Sequence, residues 1–137
     1  MRDLFIATIL SLGLVGPAAA QGDAPDGAIQ SVIDNQFQAF SADDFDRAFT
    51  FASPTIRSIF GTSETFGAMV RNGYPMVHRP AGVQFLDLRE VDGALWQRVQ
   101  IRDAKGAFHL LDYQMIETES GWKINAVNYV PDPGAAV

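Results

Sequence analysis

The hydrophobic rhythm of this chain changes once, near Val83, and that change limits the folds open to it. Upstream, Ile29, Val32, Ile33, Phe37 and Phe40 recur at helical spacing and fall on one stripe. Downstream, apolar residues return at every second position, interrupted by Asp92-Gly93, by Asp103 to Gly106 and by Ser120-Gly121. Asp-Gly between alternating segments is a strong hairpin signal. Strands are therefore expected over 83–91, 95–102, 107–118 and 122–130, each joined to the next by a tight turn. Helices followed by an antiparallel meander is an α+β plan. The expected architecture is a set of N-terminal helices packed on a curved four-stranded sheet, a cone-like or cystatin-like roll.

The helical half is heavily punctuated. Asp26 is placed to cap the first helix. Ser41 and Asp44, flanked by Phe40 and Phe45, read as a capping box with a hydrophobic staple, opening a helix that buries Phe45, Ala48, Phe49 and Ala52. In SPTIRSIFGTSETFGAMVRNGYP (53–75), Ser53 is an N-cap with Pro54 at the first helical position. Ile56, Ile59 and Phe60 form the expected buried face, and Gly61 ends the turn. Thr62 or Ser63 caps the next helix, Glu64 suits its positive end, and Phe66, Met69 and Val70 face inward. Gly67 in mid-helix costs about 1 kcal/mol against alanine, which implies a close backbone approach there. Gly73 closes the helix, Tyr74 is expected to fold back onto its last turn, and Pro75 prevents continuation. Each polar or glycine residue has a capping task, so the stretch reads as punctuation between helices rather than as a ligand loop.

The third strand is apolar on both faces. His109, Leu111, Tyr113 and Met115 point one way, and Phe108, Leu110 and Ile116 the other. Two apolar faces imply two covers. The helices supply one; a second subunit, or a sheet curled tightly on itself, must supply the other.

Organisation follows from the ends. Leu4 to Val15 is nearly all apolar, Gly16-Pro17 breaks it, and Ala18-Ala19-Ala20 offers small residues for cleavage before Gln21. That is the layout of a secretory signal peptide over 1–20. The apolar run is shorter than the roughly 20 residues a membrane span needs. A mobile leader over 21–27, one domain over 28–131 and a tail over 132–137 complete the expected organisation, with export to the periplasm or medium. The chain has no cysteine, which excludes disulfides and thiolate chemistry. Its net charge is −6, unchanged when Arg2 and Asp3 leave together, and the basic residues form no stripe. Nucleic acid is a poor partner for such a surface.

Three segments together carry a resemblance: AFTFASPTIRSIFG, FGAMVRNGYP and GWKINAV. The chain resembles a bacterial domain-of-unknown-function family of exported alphaproteobacterial proteins, within the nuclear transport factor 2-like, SnoaL-like superfamily. The likeness covers about Ile29 to Val130. It implies a pocket between the helices and a concave sheet; the superfamily includes ketosteroid isomerase and limonene epoxide hydrolase alongside non-catalytic modules, and fold kinship alone assigns no reaction.

A site of the ketosteroid-isomerase type needs a carboxylate or histidine base and a phenol donor in an apolar pocket. Asp87, His109 and Tyr113 are the catalytic candidates. Asp112 and Tyr113 lie on opposite faces and cannot share a pocket without a bulge. Tyr74, His78, Arg79, Phe85, Tyr113 and Trp122 are the ligand-binding candidates, with Arg71 and Arg79 placed to meet an anion. Phe37, Phe66, Met69 and Val99 are further candidates for the pocket wall. Only His78 and His109 are available as imidazole ligands, without metal-site spacing, so neither a metal nor another cofactor is expected. The reading is a small exported domain that binds a small apolar or amphipathic ligand or a protein partner, with no membrane contact after cleavage. The alternatives are a lyase or isomerase, and an interaction module that dimerises through the outer sheet face.

Overall fold

The computed structural model describes residues 25–131. The expected signal peptide and C-terminal tail lie outside the described residues. Helix α1 (Pro25–Ser41) starts within the expected leader, and Asp26 sits inside its first turn rather than ahead of it as a cap. Its carboxylate still complements the positive end of the helix.

The exit from α1 corrects the expected capping box. Asp43 adopts a left-handed φ of 58°. Its amide bonds to the Phe40 carbonyl at 2.9 Å, and the Asp44 amide bonds to Ala39 at 2.8 Å. This is the Schellman arrangement, which satisfies two orphan carbonyls at once. Ser41 is consequently still helical, and the N-cap of α2 (Phe45–Thr50) is Asp44, whose side chain accepts from the Arg47 amide. Phe40 and Phe45 nonetheless meet, with ring centroids 6.0 Å apart.

Helices α3 (Pro54–Phe60) and α4 (Ser63–Gly73) begin as expected: Ser53 and Thr62 accept from the amides of Ile56 and Thr65. Ile59 does not belong to a buried face, being 66 % exposed. Helix α3 has two turns and lies over the rim of the core, so only the line through Ile56 and Phe60 turns inward. A short helix α5 (Pro75–His78) follows, with Pro75 in its first turn. Tyr74 does not fold back on α4; its hydroxyl donates to the Val127 carbonyl at 3.0 Å and its ring stacks on Tyr129 at 4.9 Å.

Strands β1 (Gly82–Val91), β2 (Ala94–Arg102), β3 (Phe108–Thr118) and β4 (Gly121–Val130) form one antiparallel sheet in sequence order. The α+β plan of helices followed by a four-stranded meander holds, with strand ends within about one residue of expectation. Asp92 and Gly93 have φ values of 53° and 84°, both left-handed, as a type I′ hairpin requires. Two bulges bend the sheet: one in β1 between Phe85 and Leu88, and one in β4 that leaves Asn125 without a partner opposite Gln114 and Met115. Val99, Ile101, Leu111, Tyr113, Met115 and Ile124 form the inner face and pack with Ile29, Ile33, Phe37, Phe40, Phe66 and Val70 into one core.

Edge strand β4 is tied to the helices. Ala52 pairs with Ile124 as an isolated parallel bridge. The Ser53 amide donates to the Ile124 carbonyl and the Ile124 amide to Phe51, both at 2.8 Å. This covers an edge that would otherwise invite another chain.

Gly67 is a close approach, as its place in mid-helix suggests. A Cβ there would lie 2.7 Å from the Phe45 ring. That ring is hemmed in by Phe40, by His78 at 5.6 Å and by the Arg71 guanidinium at 4.9 Å, so it has little room to yield. Gly67→Ala should therefore cost about 1–3 kcal/mol by overpacking. A Cβ at Gly27, also helical, meets nothing within 4 Å; Gly27→Ala should gain roughly 0.5–1 kcal/mol. Urea melts of the two variants check this, and equal stabilities would contradict the packing at Gly67.

Candidate functional site

Between the helical layer and the concave face of the sheet lies a cavity of about 280 Å³. Helices α3 and α4 contribute Ile56, Phe60, Phe66, Met69 and Val70; β4 contributes the segment from Ile124 to Val127; α1 contributes Gln36 and Phe40; and Tyr113 stands on β3. Among the described residues, no acidic or basic side chain lines it. It lies beside the segment of β4 held at one end by Phe51 to Ser53 and at the other by Tyr74.

The polar groups of the lining are nearly all committed. Gln36 donates through Nε2 to the Ala48 carbonyl at 3.1 Å. Asn125 accepts from the Ser53 hydroxyl at 2.8 Å and donates to Gln114 at 2.8 Å. The Tyr74 hydroxyl is held by Val127. Tyr113 is 1 % exposed, and its hydroxyl, closed to cavity and solvent alike, has no hydrogen-bond partner among the described residues. Burial, and secondarily the neighbouring Tyr74, push its pKa well above the ordinary phenol value, so it stays protonated as a donor. Phe37 packs edge-on against its ring at 6.2 Å and fixes its place.

The other candidates are dispersed. Asp87 is exposed on the β1 bulge, where the Leu86 carbonyl accepts from Gln97 Nε2 at 3.0 Å. His109 lies 2.8 Å from Asp103, which also accepts from the Lys105 and Ala107 amides and so organises the β2–β3 turn. These contacts, the His109 bond first, hold the Asp103 carboxyl below its ordinary pKa. Neither Asp87 nor His109 reaches the cavity, so Tyr113 has no base beside it. Phe85 and Trp122 pack on the core away from the cavity lining, as do Phe37 and Val99. Phe66, Met69, Tyr74 and Tyr113 are the sequence candidates that the fold does bring together.

His78 and Arg79 are engaged elsewhere. Arg79 grips both Asp43 carboxylate oxygens, at 3.1 and 3.0 Å, and caps α1 through the Phe40 and Ser41 carbonyls. His78 lies 2.8 Å from Asp43. Arg71 stacks on Phe45. The basic residues expected to meet an anion thus secure the turn after α1 instead. On the outer sheet face, Asp112 is bracketed by Arg89, at 3.1 and 2.6 Å, and by Arg98, at 3.2 and 2.9 Å. Burial raises its pKa, but the two guanidiniums outweigh that and hold it below the ordinary value. As the sequence alternation requires, Asp112 and Tyr113 occupy opposite faces.

Helix-lined and sheet-floored, this is the geometry of a domain type without assigned activity. A family model described as "Domain of unknown function (DUF4864)" matches residues 23–137. The chain belongs to that family. Its fold is similar to the solution structure of a SEC-C motif containing protein from Rhodopseudomonas palustris, with a TM-score of 0.53 and 16 % identity over 85 % of this chain and 88 % of that one. At that identity the likeness concerns the fold alone. No curated protein matches the sequence. Among the described residues of this DUF4864 domain, no group of three or more histidines and carboxylates stands close enough to hold a metal ion, and no helix is long and apolar enough to cross a membrane.

Gln36 and Asn125 line the cavity without being sequence candidates: Gln36 leaves a trace by interrupting the apolar stripe of α1, whereas Asn125 enters through the β4 bulge, which the alternation does not mark.

An unpartnered buried hydroxyl costs about 1–3 kcal/mol. Tyr113→Phe should therefore raise the melting temperature of the ligand-free protein, by roughly 4–8 °C per kcal/mol in a domain of this size. A calorimetric scan showing a clear drop would mean that the hydroxyl already has a partner.

Proposed function

We propose that this protein is an exported binding module of the nuclear transport factor 2-like superfamily that holds one small apolar or amphipathic molecule between its helices and its sheet. The observation that carries this is an apolar cavity of about 280 Å³ with no charged side chain among the described residues of its lining. Ligand sites are concave and apolar, with few placed polar groups. Catalysis by proton transfer would need a base within about 3 Å of the reacting atom, and among the described residues the lining contains no carboxylate or imidazole. The apolar run Leu4 to Val15 and the Ala18-Ala19-Ala20 site support export.

Binding to the folded state alone stabilises it by about 2.7 kcal/mol at a hundred times the dissociation constant. A ligand recovered by native mass spectrometry from the exported protein should therefore raise the melting temperature by roughly 10 °C when added back at that excess. Ile56→Trp, which fills the cavity from its rim, should abolish that shift while the protein stays folded. A shift that survives Ile56→Trp would place the ligand elsewhere and defeat this reading.

The outer sheet face favours a second reading, a homodimer in addition to ligand binding. On that face Asp112 is only 8 % exposed, no helix among the described residues packs there, and Trp96, Leu110 and Ile116 are half-buried beside it. Apolar rows around a paired charge suit an interface core with fixed register. Sedimentation velocity should give a dimer for the native chain and a monomer for Trp96→Glu. A native monomer at high micromolar concentration would exclude it.

A further inference from the structure

We propose that Gln36 selects the ligand through its side-chain oxygen, which accepts a hydrogen bond from a hydroxyl, so that the cavity takes small uncharged alcohols of about twice the bulk of benzene. This rests on the cavity being a binding site, and adds what it recognises.

Gln36 stands where a core residue is expected. It follows Ile29 and Ile33 and precedes Phe40 on the most buried line of α1, and it is only 4 % exposed. An amide buried there costs stability unless its polar atoms are matched. One hydrogen of Nε2 is matched, by the Ala48 carbonyl at 3.1 Å. That carbonyl does not depend on Gln36, since the Phe51 amide already donates to it at 3.2 Å. Gln36 Oε1 accepts no bond among the described residues, yet it is not sealed off as Gln97 Oε1 and the Tyr113 hydroxyl are. Gln36 lines the cavity and is almost wholly buried, so the open space its oxygen meets is the cavity. Asn125, the other amide of the lining, keeps one hydrogen, but its oxygen already accepts from Ser53 and its nitrogen already donates to Gln114.

An unmatched acceptor calls for a donor on the ligand, which ketones, ethers and hydrocarbons lack. The donor has to be neutral: among the described residues no carboxylate lines the cavity to pair with an ammonium, and an unpaired buried ion is prohibitively costly. A hydroxyl fits. It gives one hydrogen to Oε1 and can accept a spare amide hydrogen of the lining, whereas a primary amide would bring two donors that both need partners. Size bounds the rest of the molecule. An apolar cavity of about 150 Å³ holds benzene; this one, at about 280 Å³, has room for about twice that.

The experiment titrates the whole mature chain calorimetrically with three bicyclic probes: 2-indanol, its hydrocarbon twin indane, and 2-aminoindane at neutral pH. Cyclohexane, which forms no hydrogen bond, supplies the reference. The ratio of the water-to-cyclohexane partition constants of 2-indanol and indane is the preference that a purely apolar hollow would show. In the native protein 2-indanol should bind roughly tenfold or more tighter than that ratio allows, within the reach of one hydrogen bond. 2-Aminoindane, a cation at this pH, should not bind. In Gln36→Met, an apolar side chain of similar length, the advantage of 2-indanol should fall by roughly tenfold while indane binds as well or better. An affinity for 2-indanol no better than partitioning allows, an advantage unchanged in Gln36→Met, or binding of 2-aminoindane would each overturn the proposal. The native comparison decides by itself if Gln36→Met fails to fold. Indane binding that Ile56→Trp abolishes, without the advantage of 2-indanol, leaves the cavity reading standing and removes only this one; failure of both neutral probes to bind removes both.

Discussion

Ser53 joins the two halves of this molecule. It is fully buried, and its hydroxyl accepts from the Ile56 amide as the cap of α3 while donating to Asn125. Its amide donates to Ile124, and Ile124 returns a bond to Phe51. Asn125 continues the chain of bonds to Gln114 on β3. A helix start, a strand edge and a bulge are thus settled by one residue, and the lid formed by α3 and α4 is held at a fixed distance from the sheet. Removing one partner of such a buried set leaves its other members unsatisfied, which costs more than the bonds contribute singly. The hollow between lid and sheet exists because this tie, and the Tyr74–Tyr129 stack further along β4, hold the helical layer at both ends of the Ile124–Val127 segment.

The hollow comes at a cost to stability. An apolar chain could have filled it with larger side chains, and a phenylalanine at position 113 would have avoided an orphan hydroxyl. Natural proteins break packing and hydrogen-bond rules chiefly where function requires it. Gln97 Oε1 is a second buried atom without a hydrogen-bond partner among the described residues, whereas the backbone irregularities are compensated. The left-handed Asp43 is clamped by Arg79 and His78, the bulge carbonyl of Leu86 by Gln97, and the β2–β3 turn by Asp103 with His109. Charged residues that look functional by type are therefore fasteners of the scaffold.

Much of this was legible in the sequence because it is local. The strand alternation, the Asp92-Gly93 turn and the Ser53 and Thr62 caps follow from neighbours within a few positions. Asp44 replaced Ser41 as a cap because a left-handed residue at 43 closed the turn a step later than a capping box would, and nothing in the residue types favoured one over the other. The partners of His78, Arg79 and His109 depend on where loops return in space, which sequence order does not reveal. The bulges were not legible, because Leu86 and Ala126 keep an apolar residue two positions from Leu88 and Ile124 and so hide the change of phase. Their consequence, Asn125 brought to the cavity beside Tyr113, needs the sheet register to be seen.

A crystal structure of the protein purified from its own exported fraction tests the central claim directly. The account predicts density for one small apolar or amphipathic molecule between Phe66, Ile124 and Tyr113. An interior closed by repacked side chains, with no space left between helices and sheet, would contradict it.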